Sequence, residues 1–155
     1  MRALFAWYHE ACEDRFLHPL LIISIFIVWF LAIHPFQDGN GRLSRIMTTL
    51  LLLKSGYAYV PYMSMESIIE GQKDRYYASL RATQTTFSLG QTHWEPWVTF
   101  FLRCLVKQTD ILKTKIEFTQ KMMTIPDLSL RILELFSTEE NITLAECITL
   151  TGGKK

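Results

Sequence analysis

The apolar run PLLIISIFIVWFLAI, residues 19–33, decides the fold, because Ser24 is its only polar side chain. A helix of this length spans about 22 Å, which is short of the roughly 30 Å hydrocarbon core of a membrane. A helix that is apolar on all sides is typical of a protein core. We therefore expect a buried central helix, and a membrane span is the less favoured alternative.

Apolar residues elsewhere recur at helical spacing, and no run alternates between apolar and polar residues as a half-buried strand does. Pro19 fits the first position of a helix, Gly56 a helix end and Ser64 an N-cap, while Thr92 and Glu95 have capping-box spacing. The predicted helices are 2–15, 19–33, 41–54, 64–83, 93–118, 128–136 and 143–150. An aromatic face predicts core packing and comprises Trp94, Trp97, Val98, Phe100, Phe101 and Leu105.

Length and charge limit the class of protein. The 155 residues fit one domain with one core, and a net charge of +1 argues against a dedicated nucleic-acid binder. Cys12, Cys104 and Cys147 are spaced irregularly, which favours free thiols in a reducing compartment over a disulfide framework or a zinc site. The N-terminal residues do not have the pattern of a secretory leader. We therefore expect a cytoplasmic protein.

The polar stretch HPFQDGNGRLSR, residues 34–45, follows the apolar run directly. Pro35 disfavours the helical conformation at His34, so the central helix should end there. An imidazole at this position can accept a proton near neutral pH, or it can cap the last carbonyls of the helix. We expect Phe36, the only apolar side chain between Pro35 and Leu43, to pin the loop onto the core.

The second half of this stretch has the composition of an anion site. Residues 38–41, Asp-Gly-Asn-Gly, allow backbone amides to approach an anion closely. Arg42 and Arg45 share one face at the start of the next helix, where the macrodipole is already positive, so they favour a multiply charged partner such as a triphosphate. The alternative is two solvated arginines. Asp38 suits Mg²⁺ that bridges phosphate oxygens.

The full pattern His-Pro-Phe-x-Asp-Gly-Asn-Gly-Arg-x-x-Arg resembles the signature loop of Fic domain proteins at every defining position. Further matching features are His18-Pro19, Gly56, the stretch from Arg75 to Leu80, and Trp94 with Trp97. The resemblance implies an all-α fold, a Fic-type helical bundle with a short helical C-terminal appendage. We expect a Fic domain over residues 1–125 and a partial winged-helix-like tail over 126–155. Relatives usually carry a β-hairpin flap upstream, and we expect that flap to be absent.

The activity implied by the resemblance is transfer of AMP from ATP to a Tyr, Thr or Ser hydroxyl of a target protein. His34 would take the hydroxyl proton, and Asp38 would hold Mg²⁺. The residues implied in nucleotide binding are Phe36, Gly39, Asn40, Gly41, Arg42, Arg45, Tyr76 and Tyr77.

Two alternatives remain open at this stage. One is a catalytically incompetent nucleotide-binding or regulatory module, with DNA binding if the winged helix is completed elsewhere. The other is a different donor or direction, such as removal of AMP. Self-modification and a homo-oligomer are further expectations, and a membrane partner is not expected.

Overall fold

The structure, a computed structural model, describes residues 1–123, 129–131 and 143. Within these residues it contains helices and no strand, which confirms the all-α prediction. Two short 3₁₀ helices lie at Val60–Tyr62 and Phe87–Leu89. The α-helices within residues 1–123 are Arg2–Asp14 (α1), Pro19–Ile33 (α2), Asn40–Lys54 (α3), Met65–Glu70 (α4), Lys73–Gln84 (α5) and Glu95–Met123 (α6).

The chain divides into two compact units, residues 1–112 and 113–155. The division falls inside α6, whereas the sequence pattern suggests a boundary near residue 125, which stays a prediction. The predicted terminal helices and the hinge at Pro126 lie outside the described residues, apart from residues 129–131, which are helical, and Thr143, which is not. The site described below lies entirely in the first unit.

Helix α2 lies in the core, as predicted from its apolar sequence. Seven of its residues are buried, and the Phe26 ring packs edge-on against the rings of Phe5 and Tyr8 in α1. The Trp97 indole N–H donates a hydrogen bond of 2.7 Å to the Ser24 carbonyl, which links α6 to α2. No helix among the described residues is both long enough and apolar enough to cross a membrane. The core aromatic prediction is confirmed for Trp97, Phe100, Phe101 and Leu105, which are all buried.

Several predicted helix ends are confirmed. Pro19 is the first residue of α2, and the His18 ring accepts a hydrogen bond of 3.3 Å from the Leu20 amide. Gly56 follows α3 with φ +90°, in the left-handed region that glycine tolerates best. The Ser64 hydroxyl accepts a hydrogen bond of 3.2 Å from the Ser67 amide and caps α4. The caps therefore place α3 and α4, which carry the site.

Two helix predictions are wrong. The predicted helix 64–83 is broken after Glu70, because the Gln72 amide bonds to the Ile69 carbonyl three residues back and Gln72 leaves helical geometry at φ −138°. The apolar period hides this break, since buried residues occur on both sides of it. Helix α6 begins at Glu95 itself, so Glu95 cannot be the third residue of a capping box that starts at Thr92.

The two described cysteines are free thiols, as expected. Cys12 is exposed, whereas Cys104 is buried in α6, and its burial raises the pKa of the thiol to about 11. A thiol in such surroundings stays protonated and inert at neutral pH. Cys104 is therefore a packing residue.

Candidate active site

His34 ends α2 in an unusual backbone conformation. It has φ 48° and ψ 59°, in the left-handed region, and its amide donates a hydrogen bond of 3.1 Å to the Phe30 carbonyl. Its Nδ1 lies 3.3 Å from the Leu31 carbonyl oxygen. Because a carbonyl oxygen only accepts, Nδ1 carries the proton in this hydrogen bond. No described residue bonds Nε2, so the exposed ring keeps one nitrogen lone pair for a ligand. The helix-cap interpretation of His34 is therefore confirmed, and the proton-acceptor interpretation is compatible with this geometry and stays a prediction.

Asn40 holds the loop in place. Its side chain is 1% exposed, its Oδ1 accepts a hydrogen bond of 3.1 Å from the Phe36 amide, and its Nδ2 donates one of 2.6 Å to the Phe36 carbonyl. The prediction that the Phe36 ring pins the loop is wrong, because that side chain is 53% exposed. The loop is pinned through the Phe36 backbone instead. Both polar atoms of the buried Asn40 side chain are therefore engaged by the Phe36 backbone, and the backbone amide of Asn40 is the group left to face an anion.

Backbone amides without a helical partner lie at the N-terminus of α3, directly after the loop. Gly39 has φ +84°, a conformation that a side chain would strain, and its carbonyl accepts the first helical hydrogen bond, from Leu43 at 2.8 Å. The amides of residues 40–42 precede that bond and so have no partner within the helix. Such amides, together with the positive end of the helix dipole, are suited to binding an anion.

Asp38 lies at the outer edge of the loop. Its Oδ1 accepts a hydrogen bond of 2.6 Å from the Gly39 amide, and its Oδ2 lies 3.1 Å from Nη2 of Arg42. Both side chains of the ion pair are largely exposed, at 91% for Asp38 and 70% for Arg42. An exposed pair of this kind contributes little to stability and separates easily.

The donor set at Asp38 fits Mg²⁺ brought in by a polyphosphate. Each carboxylate oxygen uses one lone pair internally and keeps another. The described residues contain no group of three His, Cys, Asp or Glu that could hold a metal by themselves. Mg²⁺ commonly takes one or two protein carboxylates and completes its shell with water and phosphate oxygens.

Arg45 has a partner that sequence reasoning missed. Its Nη2 lies 2.5 Å from Oε1 of Glu66, which is in the first turn of α4. Asp38 pairs with Arg42 and Glu66 pairs with Arg45, so each guanidinium already has one internal carboxylate. No local spacing could have revealed Glu66, because the two residues are 21 positions apart and the predicted helix containing Glu66 was not tied to the loop.

The tyrosine pair is divided between the core and the surface. Tyr76 is 6% exposed and packs edge-on against the rings of Trp97 and Phe100, while Tyr77 is 49% exposed. Burial raises the pKa of Tyr76, and the nearby Arg45 charge opposes that rise. Tyr76 is thus a core residue beside Arg45, and only Tyr77 offers a ring to a ligand. Their assignment to nucleotide binding stays a prediction.

Both arginines remain accessible. They line one cleft of about 440 Å³ that runs along residues 60–66 and includes Glu66 and Thr49. This volume lies within the range of about 300–1,000 Å³ typical of small-molecule sites. An anion can therefore reach the guanidiniums despite their internal partners.

The N-terminal third of the chain is similar in sequence to one known family. The profile of the Fic/DOC family matches residues 1–52, which include the whole loop with His34 and both arginines. This part of the chain is similar to the Fic/DOC family. The chain is 32% identical over 99 residues to the "Protein adenylyltransferase Fic" of Drosophila mojavensis, and 32% identical over 95 residues to that of Drosophila melanogaster.

The similarity covers a small part of those relatives. The aligned region is 64% of this chain and 17% of the Drosophila mojavensis protein, and 61% and 17% for Drosophila melanogaster. The fold also resembles the crystal structure of a Fic family protein from Desulfovibrio desulfuricans G20, with a TM-score of 0.58 and 24% identity. That likeness covers 99% of this chain and 43% of the other, and it supports the Fic fold.

Proposed function

We propose that this Fic domain transfers AMP from ATP to the hydroxyl of a Tyr, Thr or Ser side chain in a target protein. The observation that carries the proposal is the state of His34. Its Nδ1 proton is committed to the Leu31 carbonyl, so Nε2 is the nitrogen that can accept a proton. The relatives named as adenylyltransferases support AMP as the transferred group.

In this mechanism His34 acts as the general base. As the target oxygen attacks the α-phosphorus of ATP, the hydroxyl proton passes to Nε2. A bond forms between that oxygen and the α-phosphorus, while the bond from the α-phosphorus to the bridging oxygen breaks. Pyrophosphate leaves with the electron pair of the broken bond. The hydrogen bond to Leu31 holds the ring in one tautomer, which general-base catalysis requires.

The other loop residues bind charge. The amides of residues 40–42 and the two guanidiniums stabilise the negative oxygens of the phosphate chain, as preorganised donors do in phosphoryl transfer. Asp38 would hold Mg²⁺ against the phosphates, where the metal neutralises charge on the leaving group. The contact between Asp38 and Arg42 is exposed, so the Asp38 carboxylate would be free to hold the metal and the Arg42 guanidinium to contact phosphate.

The test is transfer of label from ATP. With Mg²⁺, the chain is incubated with α-labelled or γ-labelled ATP, alone and with added protein from a cell extract. We expect label on protein from α-labelled ATP only, because AMP transfer retains the α-phosphate and releases the others. Replacing His34→Ala should reduce labelling by about 100-fold or more, the usual contribution of a general base.

The matched control is His93→Ala, which removes an exposed histidine outside the loop. It should label as the unmodified chain does. Label from γ-labelled ATP would indicate phosphorylation instead. Tight ATP binding without any His34-dependent label would favour the alternative of a nucleotide-binding module that does not transfer.

A further inference from the structure

We propose that Glu66 is a positioning residue, which holds the Arg45 guanidinium with one edge turned to the phosphate-binding loop. This inference rests on the proposed function, because it concerns the same anion site. Glu66 lies outside the signature loop, and it meets Arg45 only through the packing of α4 beside α3.

The three nitrogens of Arg45 have different surroundings. Nη2 pairs with Glu66 at 2.5 Å, and Nε is buried with no acceptor among the described residues. Nη1 lies beside the loop, since a Cβ built on Gly41 would be 3.5 Å from it. The contact with Glu66 therefore occupies one corner of the planar group and leaves the Nη1 corner over the glycine backbone.

The backbone of Glu66 is held in place by its helix. It lies in the first turn of α4, where a carboxylate interacts favourably with the helix dipole, and Ser64 caps that turn. Its neighbours Met65 and Ile68 are 5% and 3% exposed, so they anchor α4 to the core. Packing thus fixes the backbone from which the Glu66 side chain extends, while the side chain itself is 62% exposed.

The charge arrangement favours positioning over competition with ATP. A guanidinium has five N–H donors, and Glu66 engages only Nη2, so the Nη1 donors remain for a phosphate oxygen. The carboxylate also offsets a cation at a helix N-terminus, where positive charge is unfavourable. Arg45 can therefore contact Glu66 and a phosphate at the same time, and less ordering of its side chain is needed on binding.

The experiment compares the affinities of Mg²⁺–ATP and AMP for Glu66→Gln by calorimetric titration. We expect ATP to bind about tenfold more weakly, as for the loss of one charge-assisted contact. AMP binding should be unchanged, because AMP lacks the distal phosphates that we expect Arg45 to contact. In the labelling reaction the KM for ATP should rise while kcat changes little. The matched control is Glu70→Gln, on the same helix, where the carboxylate pairs with Lys73 at 3.7 Å.

A double-mutant cycle with Arg45→Ala tests whether Glu66 acts through Arg45. In the Arg45→Ala background, Glu66→Gln should have no further effect on ATP affinity. Unchanged or tighter ATP binding by Glu66→Gln alone would overturn the proposal, and tighter binding would show that Glu66 competes with phosphate. If the unmodified chain binds no ATP, the proposed function itself has failed. That result differs from unchanged or tighter ATP binding by Glu66→Gln, which would overturn only the role of Glu66.

Discussion

The loop before α3 and the first turns of α3 have an inner and an outer side, on which polar side chains have different surroundings. The inner side, Asn40 and Arg45, is largely buried: Asn40 is 1% exposed, and the Arg45 side chain 21%. The outer side, Phe36, Asp38 and Arg42, faces solvent, with the Arg42 side chain 70% exposed. Two arginines three residues apart are thus held to very different degrees.

The difference in burial implies different roles for the two sides. Buried side chains with fixed partners determine where the backbone amides and one guanidinium lie before a ligand arrives. Exposed side chains keep weak partners that a ligand can replace at little cost, because surface ion pairs contribute only about 0–1 kcal/mol. We therefore expect the inner side to govern stability and affinity, and the outer side to adjust on binding.

The largest effect should come from Asn40→Ala. It removes both partners of the Phe36 backbone and leaves a buried gap, so we expect the free energy of unfolding to fall by about 2 kcal/mol. ATP binding should weaken as well, because the loop loses its attachment. Urea denaturation followed by circular dichroism measures the first effect and calorimetry the second.

The control for this prediction is Phe36→Ala on the outer side. Its ring is half exposed and its backbone bonds to Asn40 would remain, so stability should change by less than about 0.5 kcal/mol. Equal destabilisation by the two substitutions would contradict the division into inner and outer sides.

The sequence predicts the polar loop and its position between two helices, but it assigns the anchoring of the loop to Phe36, whereas Asn40 holds it in the structure. An apolar ring in a polar loop is a reasonable anchor, and an asparagine between glycines resembles a turn residue. Which residue anchors the loop depends on whether the Phe36 ring contacts the core and whether the Asn40 side chain reaches back four residues to the Phe36 backbone. Local composition does not predict these side-chain orientations, because they depend on the path of the whole loop.

The two arginines give the next prediction. Replacing Arg45→Ala should weaken ATP binding by about tenfold or more, since it removes a preorganised guanidinium. Replacing Arg42→Ala should have a smaller effect, because its side chain must be ordered when ATP binds and because Asp38 is then freed from its partner. Calorimetric titration of both variants with Mg²⁺–ATP measures the two affinities. A larger loss of ATP affinity for Arg42→Ala than for Arg45→Ala would contradict the division into inner and outer sides.

The helices were largely predictable, whereas contacts between distant residues were not. The ends of α2 and α3 follow from Pro19, His34 and Gly56, whose effects are local. The pairing of Arg45 with Glu66 depends on how α4 packs beside α3 after the intervening turn. Spacing of three or four residues reveals partners within one helix. Two residues that are 21 positions apart have no characteristic spacing from which their contact could be predicted.

The smallest effect separates the two loop glycines. Gly39 has φ +84°, so Gly39→Ala should cost about 1 kcal/mol of stability, measured by urea denaturation. Gly41 lies in the first turn of α3 without positive φ, and an added Cβ would meet Arg45 Nη1 at 3.5 Å, which is ordinary contact. Gly41→Ala should therefore leave stability unchanged but weaken ATP binding, because the methyl group would occupy space between the guanidinium and the loop amides. Were Gly41→Ala to bind ATP normally, the phosphate would have to lie away from Arg45, and the inner side would only support the fold.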